Sequence, residues 1–349
     1  MPWTASGRTP IAIDFDGRSI RAAQLARRRG GWTLEAAVRV PRLADSPAPG
    51  VDEVRQFRDV LLRQRFRGAA VSLAVPEESL VADILELPPR ASGAPVEDIA
   101  RTELANMHNY APNEAETVCW DLPTFGRTRS AAPVMTLACR HSDAEALLVV
   151  FEEAGLEPRV LAPRLHAMVQ ACRPLLAQDS ATALLDLEWG GAVLLLWCHG
   201  TVIYRRLMPE LAVGRLAGSL TEDLAIPAES VECLLAEIGL LPPQGEREAS
   251  WSFELVASFI RKHMDKVAES LLQPLNYAAR QHADAAVRTL LLTGCGAGIP
   301  GAADHLAAQL NMPCRAVTPG DIVRSPEALA GKAADPALTL AVGLAQIEE

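Results

Sequence analysis

The chain opens on a short alternating stretch and two further apolar-rich stretches of strand character. Ile11 to Asp14, Ile20 to Ala26 and Trp32 to Val40 read as strands, joined by the turns Asp16-Gly17-Arg18-Ser19 and Arg27 to Gly31. The period then changes. Val54, Phe57, Val60 and Leu61 fall on one face of a helix over 51–65, and Val71 to Val75 returns as a strand, so the opening unit is β-β-β-α-β. After Pro88-Pro89 comes what reads as an inserted unit. Val96, Ile99, Ala100, Leu104 and Met107 share a helix face, and Val118 to Leu122 and Val134 to Arg140 form a hairpin across a polar loop. Ser142 and Glu145 have the spacing of a capping box for a helix that Gly155 ends. Arg159 to Leu161 and Arg164 to Leu176 then give a strand and a helix that rejoin the first unit.

The second half repeats the opening pattern. Ala183 to Leu187, Ala192 to Trp197 and Val202 to Leu207 form another three-stranded meander, so Asp14 and Asp186 stand at equivalent places in two copies of one motif. Ala228 to Ile238 is a helix closed by Gly239, and Pro242 to Ser250 is a charged linker. Phe253 to Leu275 carries the pattern of a long helix that Pro274 is expected to kink or break. Leu290 to Gly301, LLLTGCGAGIPG, is a short buried strand, a glycine turn and the start of a helix at Ala302. Taken alone, this turn is either a cradle for phosphate or adenosine at a helix N-terminus or a plain strand-to-helix connection. Cys314 to Val317 and Pro336 to Ala345 close the chain as a strand and a helix.

Composition narrows the class. The 349 residues are enough for two or three domain-sized units, and 49% hydrophobic content supplies their cores. With 43 acidic against 33 basic residues the net charge is -10, which gives no general attraction to nucleic acid or anionic lipid. The seven cysteines form no CxxC pair and no Cys/His cluster at zinc spacing, as expected of buried thiols in a reducing cytosol. The N-terminal stretch lacks the apolar core of a signal peptide, and the apolar run Ala192 to Cys198 is too short to span a bilayer.

The duplicated β-β-β units, each with an acidic residue after its first strand, and the late T-G-x-G-x-x-x-P-G loop resemble the actin, Hsp70 and sugar-kinase superfamily. Within it the chain is most similar to the PilM family of type IV pilus assembly, and it also resembles the cytoplasmic part of the type II secretion counterpart, GspL. The likeness runs from IAIDFDGRSIRAAQLARRRGGWTLEAAVRVP through VSLAVPEESLVADILELPP, VEDIARTELANMHNYAPNEAETVCWDLP and IPAESVECLLAEIG to LLLTGCGAGIPGAADHLAAQLNMPCRAV. It implies an α/β, actin-like fold: a duplicated, ribonuclease H-like, two-lobed architecture with an inserted α+β subdomain. The expected division is residues 1–80 and 156–180 for the first lobe, 81–155 for the insert, 181–210 and 286–349 for the second lobe, and 211–285 for its helical subdomain.

The resemblance also implies a nucleotide cleft. Asp14, Gly17, Ser19 and Arg21 would form its first phosphate turn, Asp186, Gly190 and Gly191 the second, and Gly294, Gly296 and Pro300 the adenosine loop. The cofactors would be ATP and Mg2+, with Asp14 and Asp186 holding the hydrated metal, or else each aspartate ends a strand and caps a turn. Three departures stand out: Asp16 replaces a glycine of the first turn, Glu188 replaces one in the second, and Cys295 takes the middle glycine's place in the third. A carboxylate beside phosphates repels them. Arg18 either binds phosphate or neutralises Asp16. No general base stands out, so the expectation is no catalytic residue and weak or lost ATP binding. The function implied is a cytoplasmic scaffold of type IV pilus or type II secretion assembly, at the inner membrane only through a partner. That partner would be a PilN-like protein, whose cytoplasmic N-terminal tail docks in the insert; self-association is also implied, and a nucleic-acid partner is not. The alternative is an active ATPase or small-molecule kinase of the superfamily.

Overall fold

The computed structural model describes residues 7–42, 46, 48–123, 131–177, 179–240, 251–281 and 286–347. The expected linker Pro242 to Ser250 lies outside the described residues. The chain opens with β1 (Ile11–Phe15), β2 (Ser19–Arg28), β3 (Gly31–Pro41), α1 (Val51–Arg63) and β4 (Ala70–Val75). It continues through β5 (Leu80–Leu87), α2 (Val96–Met107), β6 (Ala115–Asp121), β7 (Ala132–Arg140) and α3 (His141–Glu153), then β8 (Glu157–Pro163) and α4 (Arg164–Cys172). The second half holds β9 (Ala181–Leu187), β10 (Ala192–Cys198), β11 (Thr201–Met208), α5 (Val213–Leu224), α6 (Ala228–Ile238) and α7 (Trp251–Gln281). It ends with β12 (Val287–Thr293), α8 (Ala302–Leu310), β13 (Cys314–Ala316), α9 (Pro319–Ile322), α10 (Ala330–Ala333) and α11 (Thr339–Leu344).

These strands form two five-stranded sheets of matching topology, β3-β2-β1-β4-β8 and β11-β10-β9-β12-β13, and a three-stranded sheet β5-β7-β6. In each large sheet an antiparallel meander is extended by two parallel strands. The period-two pattern decides which side chains each face receives. Ile11, Ile13 and Phe15 pack under α1 and α3, whereas Ala12 and Ala23 face the opposite way, into a layer shared with Leu184, Leu195 and Leu291 of the second sheet. Helices α4 and α11 lie in that layer through Ala167, Met168, Leu340 and Leu344. Successive side chains alternate, so Asp14 and Arg21 share the side of Ala12 and Ala23, and Asp186 and Glu188 share the side of Leu184. All four polar residues therefore enter the layer between the two sheets.

Three local expectations change. No side-chain cap is found at α3, which starts at His141 with Arg140 as its N-cap, so Ser142 lies inside the first turn and the capping box is not formed. Leu147 and Phe151 of α3, grouped with the insert by sequence, pack with Val54 and Phe57 of α1. Of the kink or break expected at Pro274, the break does not occur: α7 runs through it. Its flanking residues Leu271 and Leu275 are buried in the second core, and that tertiary burial outweighs the proline penalty. Within the segment expected as a helical subdomain, α5 forms through Val213, Leu216, Ala217 and Leu220, all buried at helical spacing.

Candidate functional site

The strand register sets up the polar centre. Arg21 on β2 stands opposite Asp14 on β1, and Thr293 at the end of β12 stands beside Asp186 at the end of β9. Asp14 and Arg21 are fully buried, and Asp186 and Glu188 nearly so. The Arg21 guanidinium lies 3.1 Å from Asp14 and 2.8 Å from Asp16, and it also donates to Glu188. A second guanidinium comes from Arg164, the first residue of α4, which Pro163 aims into the layer by ending β8 in extended backbone. One of its nitrogens donates to Asp14 while the other lies 2.9 Å from Asp186 and 3.5 Å from Glu188. Thr293 Oγ1 donates to the other Asp186 oxygen at 2.9 Å.

A cation in the first turn of a helix opposes the helix dipole, a cost of about 0.3–1 kcal/mol. The three carboxylates around Arg164 more than offset it: burial works against its charge, but Asp14, Asp186 and Glu188 hold it protonated. Arg21 is held charged in the same way, against burial, by Asp14, Glu188 and Asp16. Asp16 remains below the ordinary carboxylate range despite burial, because Arg21 faces it and the amides of Arg18 and Ser19 donate to it at 2.6 and 2.8 Å. Burial drives Glu188 well above its ordinary value, with Arg21 pulling the other way.

That elevation has a pH consequence. A carboxyl whose value is raised on folding contributes stability that is fully present below its unfolded value near 4.5 and is lost as pH rises through the folded value. Glu188→Gln, which keeps an acceptor for Arg21, is expected to gain stability relative to the parent progressively as pH rises from about 4.5 through the neutral range. Thermal melts across this range check it; a difference that stays constant with pH would refute the assignment.

The other predicted residues are placed as follows. Ser19 is buried with its hydroxyl lacking a hydrogen-bond partner. Gly17, Gly190 and Gly191 line a 200 Å3 cavity together with Asp186 and Arg164. Gly294, at φ +84°, and Gly296 are where the loop presses on the end of β9: an added Cβ would come within 2.5 Å of the Leu187 carbonyl and of its side chain, respectively. Pro300 accepts from the Leu240 amide at 2.6 Å. A second cavity of 310 Å3 lies between this loop and α6, and it is Cys295, Gly298 and Ile299 that face it, with Trp189, Glu232 and Pro336 opposite. Arg18 lies 5.4 Å over the Trp189 ring and 3.6 Å from Glu232, which Arg39 also contacts, so its main alignment is across the cleft mouth.

Arg164 is the residue that sequence reasoning passed over. Its helix was seen, but nothing local distinguishes an arginine after Pro163 from a solvated one. Asp14 and Asp186 meet at Arg164, Gly17, Gly190 and Gly191 border the 200 Å3 cavity, and Gly298 borders the 310 Å3 cavity. The phosphate side does not suit a magnesium–phosphate group. Both metal-ligand candidates are ion-paired to Arg164, two further carboxylates line the turns, and no group of three or more His, Cys, Asp or Glu suited to a metal occurs among the described residues.

Two matching sheets, each a meander extended by parallel strands, on either side of this polar centre define an actin-like fold. Solved structures agree. The chain is similar to that of a PilM–PilN type IV pilus biogenesis complex, with a TM-score of 0.77 at 17% identity over 98% of both chains. It is also similar to the ethanolamine utilization protein EutJ from Carboxydothermus hydrogenoformans, with a TM-score of 0.55 at 14% identity over 97% of this chain and 89% of that one. MreB5 of Spiroplasma citri bound to AMPPNP gives a TM-score of 0.52 at 12% identity over 96% and 93%. No curated protein matches by sequence. The family model described as type IV pilus assembly protein PilM matches residues 12–348, and the chain belongs to that family.

Proposed function

We propose that this chain is a cytoplasmic scaffold of type IV pilus assembly with weak or lost ATP binding, held at the inner membrane by the cytoplasmic N-terminal tail of a PilN-like protein. The observation that carries the reading is Arg164, whose guanidinium spans Asp14 and Asp186 where a hydrated metal and phosphates would have to lie. The lobes would divide at 1–80 with 156–180, and 181–210 with 286–349, around an insert at 81–155, whose helix α3 packs on α1 of the first lobe, and a helical subdomain at 211–285. Among the described residues no helix is long and apolar enough to cross a membrane, which is consistent with recruitment through a partner.

The insert supports tail docking in two ways. Strands β5 and β6 each pair only with β7 among the described residues, and they expose Ile84 and Val118. An extended peptide adds to such an edge through main-chain hydrogen bonds, with alternate side chains seated in pockets. A cavity of 740 Å3 also opens where Trp120 of β6 meets α4 and the β10–β11 turn. The test is a thermal melt with and without Mg-ATP, followed by titration with synthetic PilN-like tails. We expect no ATP-dependent shift and no phosphate release, together with peptide binding that Val118→Pro weakens. A saturable ATP shift with phosphate release would favour the active ATPase instead, and failure of every tail to bind would remove the scaffold reading.

A further inference from the structure

The acidic net charge of the chain hides one basic end. Six exposed arginines stand on two neighbouring turns of the first sheet: Arg27, Arg28 and Arg29 at the β2–β3 turn, and Arg63, Arg65 and Arg67 where α1 gives way to β4. Arg324, also exposed, joins them. It donates to the Arg29 carbonyl at 3.4 Å and lies against Gly30, where an added Cβ would come within 2.9 Å of its guanidinium. Strands β1 and β4 run parallel and both start at this end, so it lies opposite the turn that carries Asp16.

The backbone fixes how these side chains are presented. Phe66, 4% exposed, anchors the second turn between the exposed Arg65 and Arg67. Gln24, 2% exposed, accepts from the Arg67 amide at 2.9 Å and donates to its carbonyl at 2.8 Å, which ties that turn to β2 three residues before Arg27. Carboxylates at this end are Glu35, held by Arg8 and Arg28; Glu157, held by Arg159; and Asp59, one turn before Arg63 on α1. Guanidiniums therefore remain in excess. None of the seven lines any of the three cavities described above, so they stand on turn tips rather than around a pocket for a small anion. Beside Arg63 is Leu62, 63% exposed, the most exposed large apolar side chain among the described residues. Duplex nucleic acid offers phosphates to such a surface but no apolar layer for Leu62. An anionic bilayer offers both, at headgroup and acyl depth.

We propose that this arginine end contacts the anionic surface of a lipid bilayer, with the guanidiniums on headgroup phosphates and Leu62 at the acyl boundary. The inference rests on the reading of a scaffold recruited by a membrane protein's tail and adds to it a direct contact. The tail brings the chain to the membrane, and the arginine end decides which face meets it, because the rest of the chain is more acidic than the whole and is repelled.

The test mixes the full chain with vesicles of phosphatidylglycerol and phosphatidylethanolamine, or of phosphatidylcholine alone, and reads the bound fraction by cosedimentation at low and high ionic strength. Binding is expected with the anionic vesicles only, and salt weakens it. Arg29→Gln, Arg65→Gln and Arg67→Gln combined are expected to weaken it about a hundredfold. Arg215→Gln, Arg261→Gln and Arg288→Gln combined change the net charge equally at exposed positions of the second half and should leave it within about threefold. Leu62→Ser should weaken it about threefold or more, an effect that persists at high salt. All these side chains are exposed, so the variants keep the core intact. No binding to either vesicle, equal binding to phosphatidylcholine, equal losses in the two triple variants, or tighter binding to duplex DNA than to anionic vesicles would overturn the proposal. Titration with PilN-like tails in the absence of vesicles separates the two ideas: failure of the tails alone defeats the scaffold reading, and failure of the vesicles alone defeats the lipid contact.

Discussion

Replacing Arg164 by alanine is expected to lower the unfolding free energy by about 3–5 kcal/mol, the usual consequence of removing one partner from a buried ion pair. The cause is less the loss of attraction than what stays behind. Asp14 is fully buried and Asp186 is 2% exposed, and without Arg164 their charges face each other across the layer between the sheets. Arg21 cannot take over, because it is already shared among Asp14, Asp16 and Glu188. Neutralising an aspartate should therefore recover stability: Arg164→Ala with Asp186→Asn is expected to be more stable than Arg164→Ala alone. Asp186→Asn in the parent background should be destabilising. Urea unfolding of the four proteins in a double-mutant cycle measures this coupling. If Arg164→Ala costs less than about 1 kcal/mol, or the two changes are additive, the arginine is not the counter-charge of the cleft.

Glycine-to-alanine changes should have opposite signs at two helical positions. At Gly343 in α11, an added Cβ would come 2.1 Å from the Ala167 carbonyl oxygen and 2.8 Å from the Ala171 Cβ, both in α4. Helix backbone cannot yield as a flexible side chain can, so Gly343→Ala is expected to cost the upper end of about 1–3 kcal/mol or beyond. At Gly218 in α5 nothing lies within 4 Å of the added atom, and the same change should stabilise by about 0.5–1 kcal/mol through reduced unfolded-state entropy. Because α4 carries Arg164 at its first position, moving it off α11 also pulls the guanidinium from Asp14. Gly343→Ala should therefore lose cooperativity between the two lobes as well as stability. Calorimetric unfolding tests both, and equal effects at the two glycines would contradict this packing.

Much of the architecture was legible because it is written in short-range periodicity. The two meanders, α1, α2, α6, α8 and both strand-end aspartates follow from alternation and helical spacing within about a dozen residues. Helix α5 is equally legible in its four apolar positions. The α3 start was misplaced because a Ser-x-x-Glu spacing is common on helix surfaces and only backbone geometry distinguishes a true cap. Pro274 misled for another reason: local propensity favours a break, while burial of Leu271 and Leu275 lies outside any local window.

For the site, the sequence by itself determined the strand-end aspartates, the glycine turns and the two carboxyl residues within those turns, Asp16 and Glu188. It did so because strand ends and turns have local chemical requirements. Tertiary structure alone decided what those charges meet. Arg164 is 150 residues from Asp14 and 22 from Asp186, and it reaches both only because α4 is packed between the sheets against the bare backbone face of Gly343. Pairing of buried charges depends on distances of a few ångströms through a low-dielectric layer, and no sequence period encodes such distances.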